Sequence, residues 1–348
     1  MTPGTITFMG SGEMSASMGK VHRAIMSRLA DPVQAVFLDT PAGFQLNADQ
    51  ISARAVAYFE RRFKVALSVA SFKSATRASK TKVANILSRL RSANYIFAGP
   101  GSPSYTIRNW ANTAVLEIMA QRLASGAHLV FASAAAIAMS RHALPVYEIY
   151  KVGKDPQWMD GLDMLGPYGM ELAIVPHWNN REGGTHDTRF CFMGEPRLRE
   201  LESRLPPSAV ILGIDEYTAC VMDLASREAK VMGTGQGTVR RQGAEFIYPA
   251  GTVFPLDCIG MNLDLPPHHD PINGPRDESG GLTSRENLLN APEKVFGSLV
   301  PLIELAISVR SKLRAAGQWE LADEIRDHLA EMGIALDDGS EETSWRKG

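Results

Sequence analysis

The chain has 348 residues, of which 45% are hydrophobic and 21% charged, the composition of a folded globular protein with room for a sizeable core and one further module. A formal net charge of -2 removes any global electrostatic case for binding nucleic acid or an anionic membrane. Three widely spaced cysteines, Cys191, Cys220 and Cys258, form no CxxC pair, so neither a disulfide framework nor a metal site is called for, and no cofactor is expected.

The N-terminus lacks the basic and apolar regions of a signal peptide, and no run approaches the roughly 20 apolar residues of a membrane span. The expectation is a cytoplasmic protein without membrane contact. Homodimerisation is left open.

In chain order, strands are predicted at Thr5 to Met9, Ala35 to Leu38, Lys64 to Val69, Tyr95 to Ala98, His128 to Ala132, Leu172 to Val175 and Val210 to Ile214. Between the earlier ones, near 17–30, 47–62, 78–91 and 106–124, apolar residues recur at spacings of three and four and predict crossover helices. This alternation is that of an α/β fold with a mostly parallel sheet flanked by helices. After Ile214 the runs Thr218 to Met222, Ala229 to Met232 and Glu245 to Tyr248 read as antiparallel edge strands, with Gly233, Gly235 and Gly237 between them.

The large domain is expected to span 1–262 and a Pro/Gly-rich linker 263–291. A small all-α module follows over 292–348, a helical hairpin with apolar stripes through Leu302 to Leu313 and Trp319 to Leu329, and with Gly317 and Gly333 as C-caps.

Chemistry-bearing residues cluster where strands end. Ser133 stands at a strand-to-helix junction before an alanine-rich segment, the position of a nucleophile elbow, and the N–H of Ala134 would face a developing oxyanion. The competing reading is an ordinary helix N-cap. Phe131 and Ala135 occupy the places where an elbow carries glycine. The turn Gly99-Pro-Gly-Ser102 offers the N–H of Gly101 as a second oxyanion donor, whereas Pro100 has none. His177 follows a strand end and is the best-placed base of the eight histidines. Asp215 and Glu216 end another strand, where either would orient a base, bind an amine or cap the turn. Gly10-Ser-Gly-Glu-Met14 lacks the third glycine of a dinucleotide fingerprint and reads as a tight turn bordering the pocket.

Taken in order, Gly99-Pro-Gly-Ser102, Phe131-Ala-Ser-Ala-Ala-Ala136, Pro176-His-Trp178 and Gly213-Ile-Asp-Glu-Tyr-Thr-Ala219 resemble the motifs of the dipeptidase E and cyanophycinase family of serine peptidases, whose fold is class I glutamine amidotransferase-like. The resemblance covers about residues 5–255. It implies Ser133 as nucleophile, His177 as general base, and Glu148, 15 residues after the serine, as the orienting acid, with Gly101 and Ala134 as oxyanion hole. It further implies a small peptide-like or amide substrate. Selectivity is expected in the segment from Trp178 to Arg189, with Arg181 or Arg189 pairing a substrate carboxylate; Ser102, Asp215 and Glu216 are the other binding candidates. A glutaminase would need cysteine in place of Ser133. The alternative is a catalytically degenerate relative that binds a small ligand.

Residues 299–347, with Ala322-Asp-Glu-Ile-Arg-Asp-His-Leu-Ala330 and Trp345-Arg, resemble the C-terminal domain of bacterial cysteinyl-tRNA synthetases. The sequence shows no synthetase catalytic half, so a tRNA ligase is not expected. The resemblance implies tRNA as a partner of the tail, although Arg310, Lys312, Arg314, Arg326, Arg346 and Lys347 are balanced by acids, and phosphate binding needs a local cationic excess.

Overall fold

Five short runs rich in valine, isoleucine, phenylalanine and alanine form strands β1 (Thr5–Met9), β2 (Ala35–Leu38), β3 (Leu67–Ala70), β4 (Tyr95–Ala98) and β5 (His128–Ala132). In this computed structural model, which describes residues 2–261 and then 303–304, 306–311, 313, 322, 325, 329, 334–338 and 343–347, they lie parallel in the order β1-β5-β4-β2-β3. Strands β1, β2, β4 and β5 are buried along their whole length, because helices cover both faces of the sheet.

Helices α1 (Ala16–Met26) and α2 (Ala48–Phe63) pack Val21, Ile25, Ala55 and Phe59 against Met9, Val130 and Ala132 on one face. On the other face, α3 (Lys80–Ser92), α4 (Pro103–Trp110) and α5 (Ala114–Ala124) bring Leu90, Trp110 and Ile118 against Ile6, Phe8, Leu129 and Phe131. The single helix predicted over 106–124 is therefore two. Asn112, at a left-handed φ of 56, separates them, a conformation that asparagine tolerates better than most residues.

After β5 come α6 (Ala134–Ala138) and α7 (Val146–Tyr150), and the two-residue strands β6 (His142–Ala143) and β7 (Met159–Asp160) pair with each other. The chain then leaves the first sheet. Strands β8 (Leu172–Val175) and β9 (Val210–Ile214) pair in parallel and continue antiparallel into β12 (Gln236–Arg241) and β13 (Ala244–Pro249), a second, four-stranded sheet. Strands β10 (Thr218–Asp223), β11 (Glu228–Gly233) and β14 (Val253–Pro255) return to the first sheet, which reaches eight strands because β10 pairs antiparallel with β1. The glycines read as separators hid β12. Gly237 lies inside it, where a Cβ would come within 3.2 Å of Val231.

The chain divides into two compact units, Met1–Asp270 and Pro271–Gly348. The expected linker over 263–291 lies outside the described residues. In the second unit the described positions from 303 to 329 are helical, and Ile303, Leu329 and Ile334 form a small core with Ala306, Ile307 and Ile325. Beyond them β15 (Ile334–Asp338) pairs antiparallel with β16 (Thr343–Lys347). The all-α description of this module is thereby corrected: two five-residue strands are too short to register as a period beside helical stripes.

Candidate active site

Strands β1, β2, β4 and β5 run parallel, so the turns that follow them share one edge of the first sheet. The second sheet delivers the ends of β8 and β9 to the same place. Trp178 N–H donates to Ile214 C=O (3.1 Å), and Gly10 fits so closely that a Cβ on it would stand 2.0 Å from the Asp215 carbonyl oxygen.

Ser133 links β5 to α6 with φ 51 and ψ -114, a region costing an L-residue of order 1–3 kcal/mol unless the surroundings enforce it. The enforcement is local: its N–H donates to Met9 C=O (3.0 Å) and its C=O accepts from Ile137 N–H (3.1 Å). The hydroxyl makes no capping bond. It lies instead 2.9 Å from His177 Nε2. Phe131, two positions earlier, is fully buried against Phe8 and Trp110, with ring centroids 6.3 and 6.4 Å away, so the core absorbs the bulk that an elbow glycine would avoid. Ala134, Ala135 and Ala136 are buried and small, as the tight strand-to-helix turn demands.

His177 also has a positive φ, 51. Its carbonyl accepts from Asn180 N–H (3.1 Å) and Cys191 N–H (3.2 Å), and its Nδ1 lies 2.9 Å from Glu216 Oε1. Glu216 is held in turn: its N–H donates to Asn179 Oδ1 (2.9 Å), and Asn180 Nδ2 donates to the same Oε1 (3.1 Å). A carboxylate can only accept, so His177 Nδ1 carries the proton and Nε2 offers its lone pair to the Ser133 hydroxyl, a tautomer assigned from these partners. The hydrogen bond from His177 holds the Glu216 carboxyl below its ordinary range, outweighing the opposing effect of burial.

Glu148 has another place. It sits on α7, where Oε1 accepts from Ser104 Oγ (2.6 Å) and the buried Oε2 has no partner. The acid on His177 is Glu216 rather than Glu148, because the β8–β9 pairing carries the end of β9 to the histidine, whereas α7 faces the start of α4. Glu216, weighed from its strand-end position as an orienter of a base or a binder of amines, touches His177.

The remaining candidates separate by their contacts. Gly101 (φ 156) has no room for a Cβ, which would stand 1.8 Å from the Pro41 carbonyl oxygen. Ser102 is the N-cap of α4, accepting from Tyr105 N–H (3.2 Å), and its own N–H donates to Pro41 C=O (3.0 Å). Trp178 is buried, its ring edge-on to Phe190 at 4.4 Å, and thus packs the core rather than lining a substrate cleft. Arg189 pairs with Asp187 through Nε (3.0 Å) and Nη2 (2.9 Å). Arg181 is exposed. Asp215 is buried and accepts from Gln236 N–H (3.0 Å), bracing the turn that carries Glu216; burial pushes its carboxyl up.

Three features escaped sequence reasoning. Asn179 and Asn180 fix Glu216, and the run Trp178-Asn-Asn180 directly after His177 was the available signal. Phe190, Cys191 and Phe192 all have left-handed φ, 58, 57 and 69, with Phe190 N–H donating to Trp178 C=O (2.9 Å); nothing in their chemistry announces such a turn. Glu13, in the turn after β1, is buried among these elements. Among the described residues, no helix is long and apolar enough to cross a membrane.

No protein-family model matches the chain. A peptidase from an acI-B1 Actinobacterium, known from its crystal structure, superposes with a TM-score of 0.60 at 18% identity, covering 73% of this chain and 97% of that one. The curated relatives are different proteins: the cysteine–tRNA ligase of Tolumonas auensis is 53% identical over 45 residues, 13% of this chain and 10% of the ligase. That of Pectobacterium carotovorum is 45% identical over 62 residues, 18% of this chain and 13% of the ligase. The chain thus spans about a tenth of the length of the curated relatives it matches, through a short C-terminal segment. Over most of its length it has the α/β fold of a structurally known peptidase, and its tail shares sequence with a fragment of cysteine–tRNA ligases.

Proposed function

We propose that this protein is a serine hydrolase of peptide or other amide bonds, with Ser133 as nucleophile, His177 as general base and Glu216 as the acid that orients it. The observation that carries the proposal is the relay itself, Ser133 Oγ to His177 Nε2 at 2.9 Å and His177 Nδ1 to Glu216 Oε1 at 2.9 Å. The strained backbone of Ser133 supports it further, since stored strain is retained where geometry has a use.

In this reading Ser133 Oγ attacks the substrate carbonyl as its proton passes to His177 Nε2, and the N–H groups of Gly101 and Ala134 stabilise the oxyanion. The proton then goes to the departing amine as the C–N bond breaks. Water attacks the acyl-enzyme, giving a proton to His177, and the C–Oγ bond breaks as Ser133 recovers its own. The ionised Glu216 stabilises the imidazolium in both halves. The test is labelling by a fluorophosphonate: stoichiometric modification that is lost in Ser133→Ala and retained in Ser226→Ala is expected, and a folded wild-type protein that resists labelling refutes the proposal.

For the tail, the 53% identity to a cysteine–tRNA ligase segment supports a separate reading, contact with tRNA. An electrophoretic shift with tRNA at physiological salt tests it, and no shift by the full chain refutes it.

A further inference from the structure

Glu13 lies in the turn after β1, on the edge that carries Ser133. Its side chain is nine-tenths buried. Oε1 points toward the turn after β4, 3.9 Å from where a Cβ would stand on Gly99, and the carboxyl lies within electrostatic range of His177. Among the described residues the carboxyl has no hydrogen-bonding or ion-pairing side chain, yet its oxygens are not sealed from solvent.

The placement is built by buried chemistry. Glu13 C=O accepts from His22 Nε2 (2.8 Å), and His22 Nδ1 lies 2.5 Å from the Tyr95 hydroxyl. His22 is fully buried, and burial pushes its pKa down to about 4, so it is neutral with the proton on Nε2, and Tyr95 donates to Nδ1. The rings of Phe59, Phe63 and Phe97 pack around it.

A buried carboxylate is costly unless a partner compensates it. Beyond the hydrogen bond from its own backbone N–H, no side chain bonds the Glu13 carboxyl among the described residues, and Glu216 and Asp215 on the same edge add negative rather than positive potential, so a side-chain-like partner arrives with the ligand. We propose that Glu13 receives a cationic group of the substrate, an ammonium or guanidinium, while the scissile carbonyl lies against Ser133. This rests on the hydrolase reading and adds to it a substrate class and a specificity-determining residue. Burial also pushes the Glu13 carboxyl up, a bias that a contacting cation reverses.

Aryl phosphonates that modify the serine of such enzymes supply the test: an alanine phosphonate with a free amine, its N-acetyl form, and an N-acetyl-lysine phosphonate. Each labelling rate is normalised to that of a neutral fluorophosphonate on the same full-length protein. At least one cationic probe is expected to react tenfold or more faster than N-acetylalanine; the free amine identifies an α-ammonium, the lysine probe a side-chain cation. The advantage falls below threefold in Glu13→Gln and persists in Glu60→Gln, a residue on the exposed side of α2. Glu13→Asp serves as a second variant, expected to weaken the advantage without abolishing it. Equal rates for cationic and neutral probes on the wild type, or an advantage that survives in Glu13→Gln, overturn the inference while fluorophosphonate labelling leaves the hydrolase reading standing. Absence of fluorophosphonate labelling overturns both.

Discussion

Replacing Glu216 by glutamine removes one negative charge and little else. The carbonyl oxygen of the glutamine still accepts from His177 Nδ1, because Asn180 Nδ2 already donates to that same oxygen and fixes which end of the amide faces the histidine. The tautomer therefore survives, and the loss is confined to stabilisation of the imidazolium. At 2.9 Å and an effective dielectric near 20, a unit charge pair is worth about 6 kcal/mol. The side chains of His177 and Glu216 are 20% and 24% exposed, and water reduces this to about 2–4 kcal/mol, or roughly 30- to 1,000-fold in rate. A loss near 10⁴-fold is expected only where the tautomer is also lost. The assay is the second-order rate of fluorophosphonate labelling, with circular dichroism to certify folding. Glu148→Gln is the comparison: its carbonyl keeps the bond from Ser104, and labelling is expected within threefold of wild type. If Glu148→Gln slows labelling by more than tenfold while Glu216→Gln does not, the relay described here is wrong.

Three further outcomes follow from backbone and burial. Ser133→Gly relieves a conformation that Ser133→Ala retains, so the glycine variant is expected to be more stable by about 1–2 kcal/mol in denaturant melts, the reverse of the usual order; a more stable alanine variant refutes the strain. Gly101→Ala drives a Cβ into the Pro41 carbonyl, and a loss of about 3 kcal/mol is expected, read by the same melts; a loss under 1 kcal/mol counts against this turn. His22 titrates near 4 when folded and near 6.5 when unfolded, so the unfolded chain takes up the proton first and stability falls as pH drops from about 6.5 to 4. The full effect approaches 3 kcal/mol. Because buried carboxyls such as Asp39 and Asp163, whose pKa burial raises, act in the opposite sense, the quantity to measure is wild type minus His22→Gln. A difference that stays flat between pH 7 and 4 contradicts a buried neutral His22.

The parallel strands were legible because strands covered on both faces need apolar side chains at every position, and Tyr95 to Ala98 or His128 to Ala132 cannot be mistaken for half-solvated strands. Ser133 and His177 were legible for a related reason: each follows such a strand, and in an open α/β sheet that edge is where sites form. The acid was harder. The family resemblance pointed to Glu148, but the residue that meets His177 comes from the end of β9, a partner fixed by the pairing of β8 with β9 across 34 intervening residues. The position of Glu216 at a strand end raised it as an orienter without choosing between it and Glu148. The left-handed run Phe190 to Phe192 was invisible in principle, since those residue types argue against the conformation that tertiary contacts impose on them.

The division of labour between the sheets makes one contact decisive. The first sheet supplies Ser133, the second supplies His177 and Glu216, and the chain crosses between them at Asp215 to Tyr217, where β9 ends and β10 returns to pair with β1. Gly10 meets that crossing directly: a Cβ would stand 2.0 Å from the Asp215 carbonyl oxygen and 2.7 Å from that of Ile214. Carbonyls cannot swing aside as a side-chain tip does, so Gly10→Ala must spread the junction by about 1 Å to reach ordinary contact, moving His177 and Glu216 away from Ser133. A displacement of this size costs about 100-fold in a reaction that depends on alignment. Labelling of Gly10→Ala is therefore expected to slow by about two orders of magnitude in protein that remains folded. Gly126→Ala, at the opposite end of β5 with 3.4 Å of clearance, provides the comparison that carries the cost of a positive φ (95) without touching the junction. Equal labelling rates for the two variants would mean that the junction does not set the distance between Ser133 and His177.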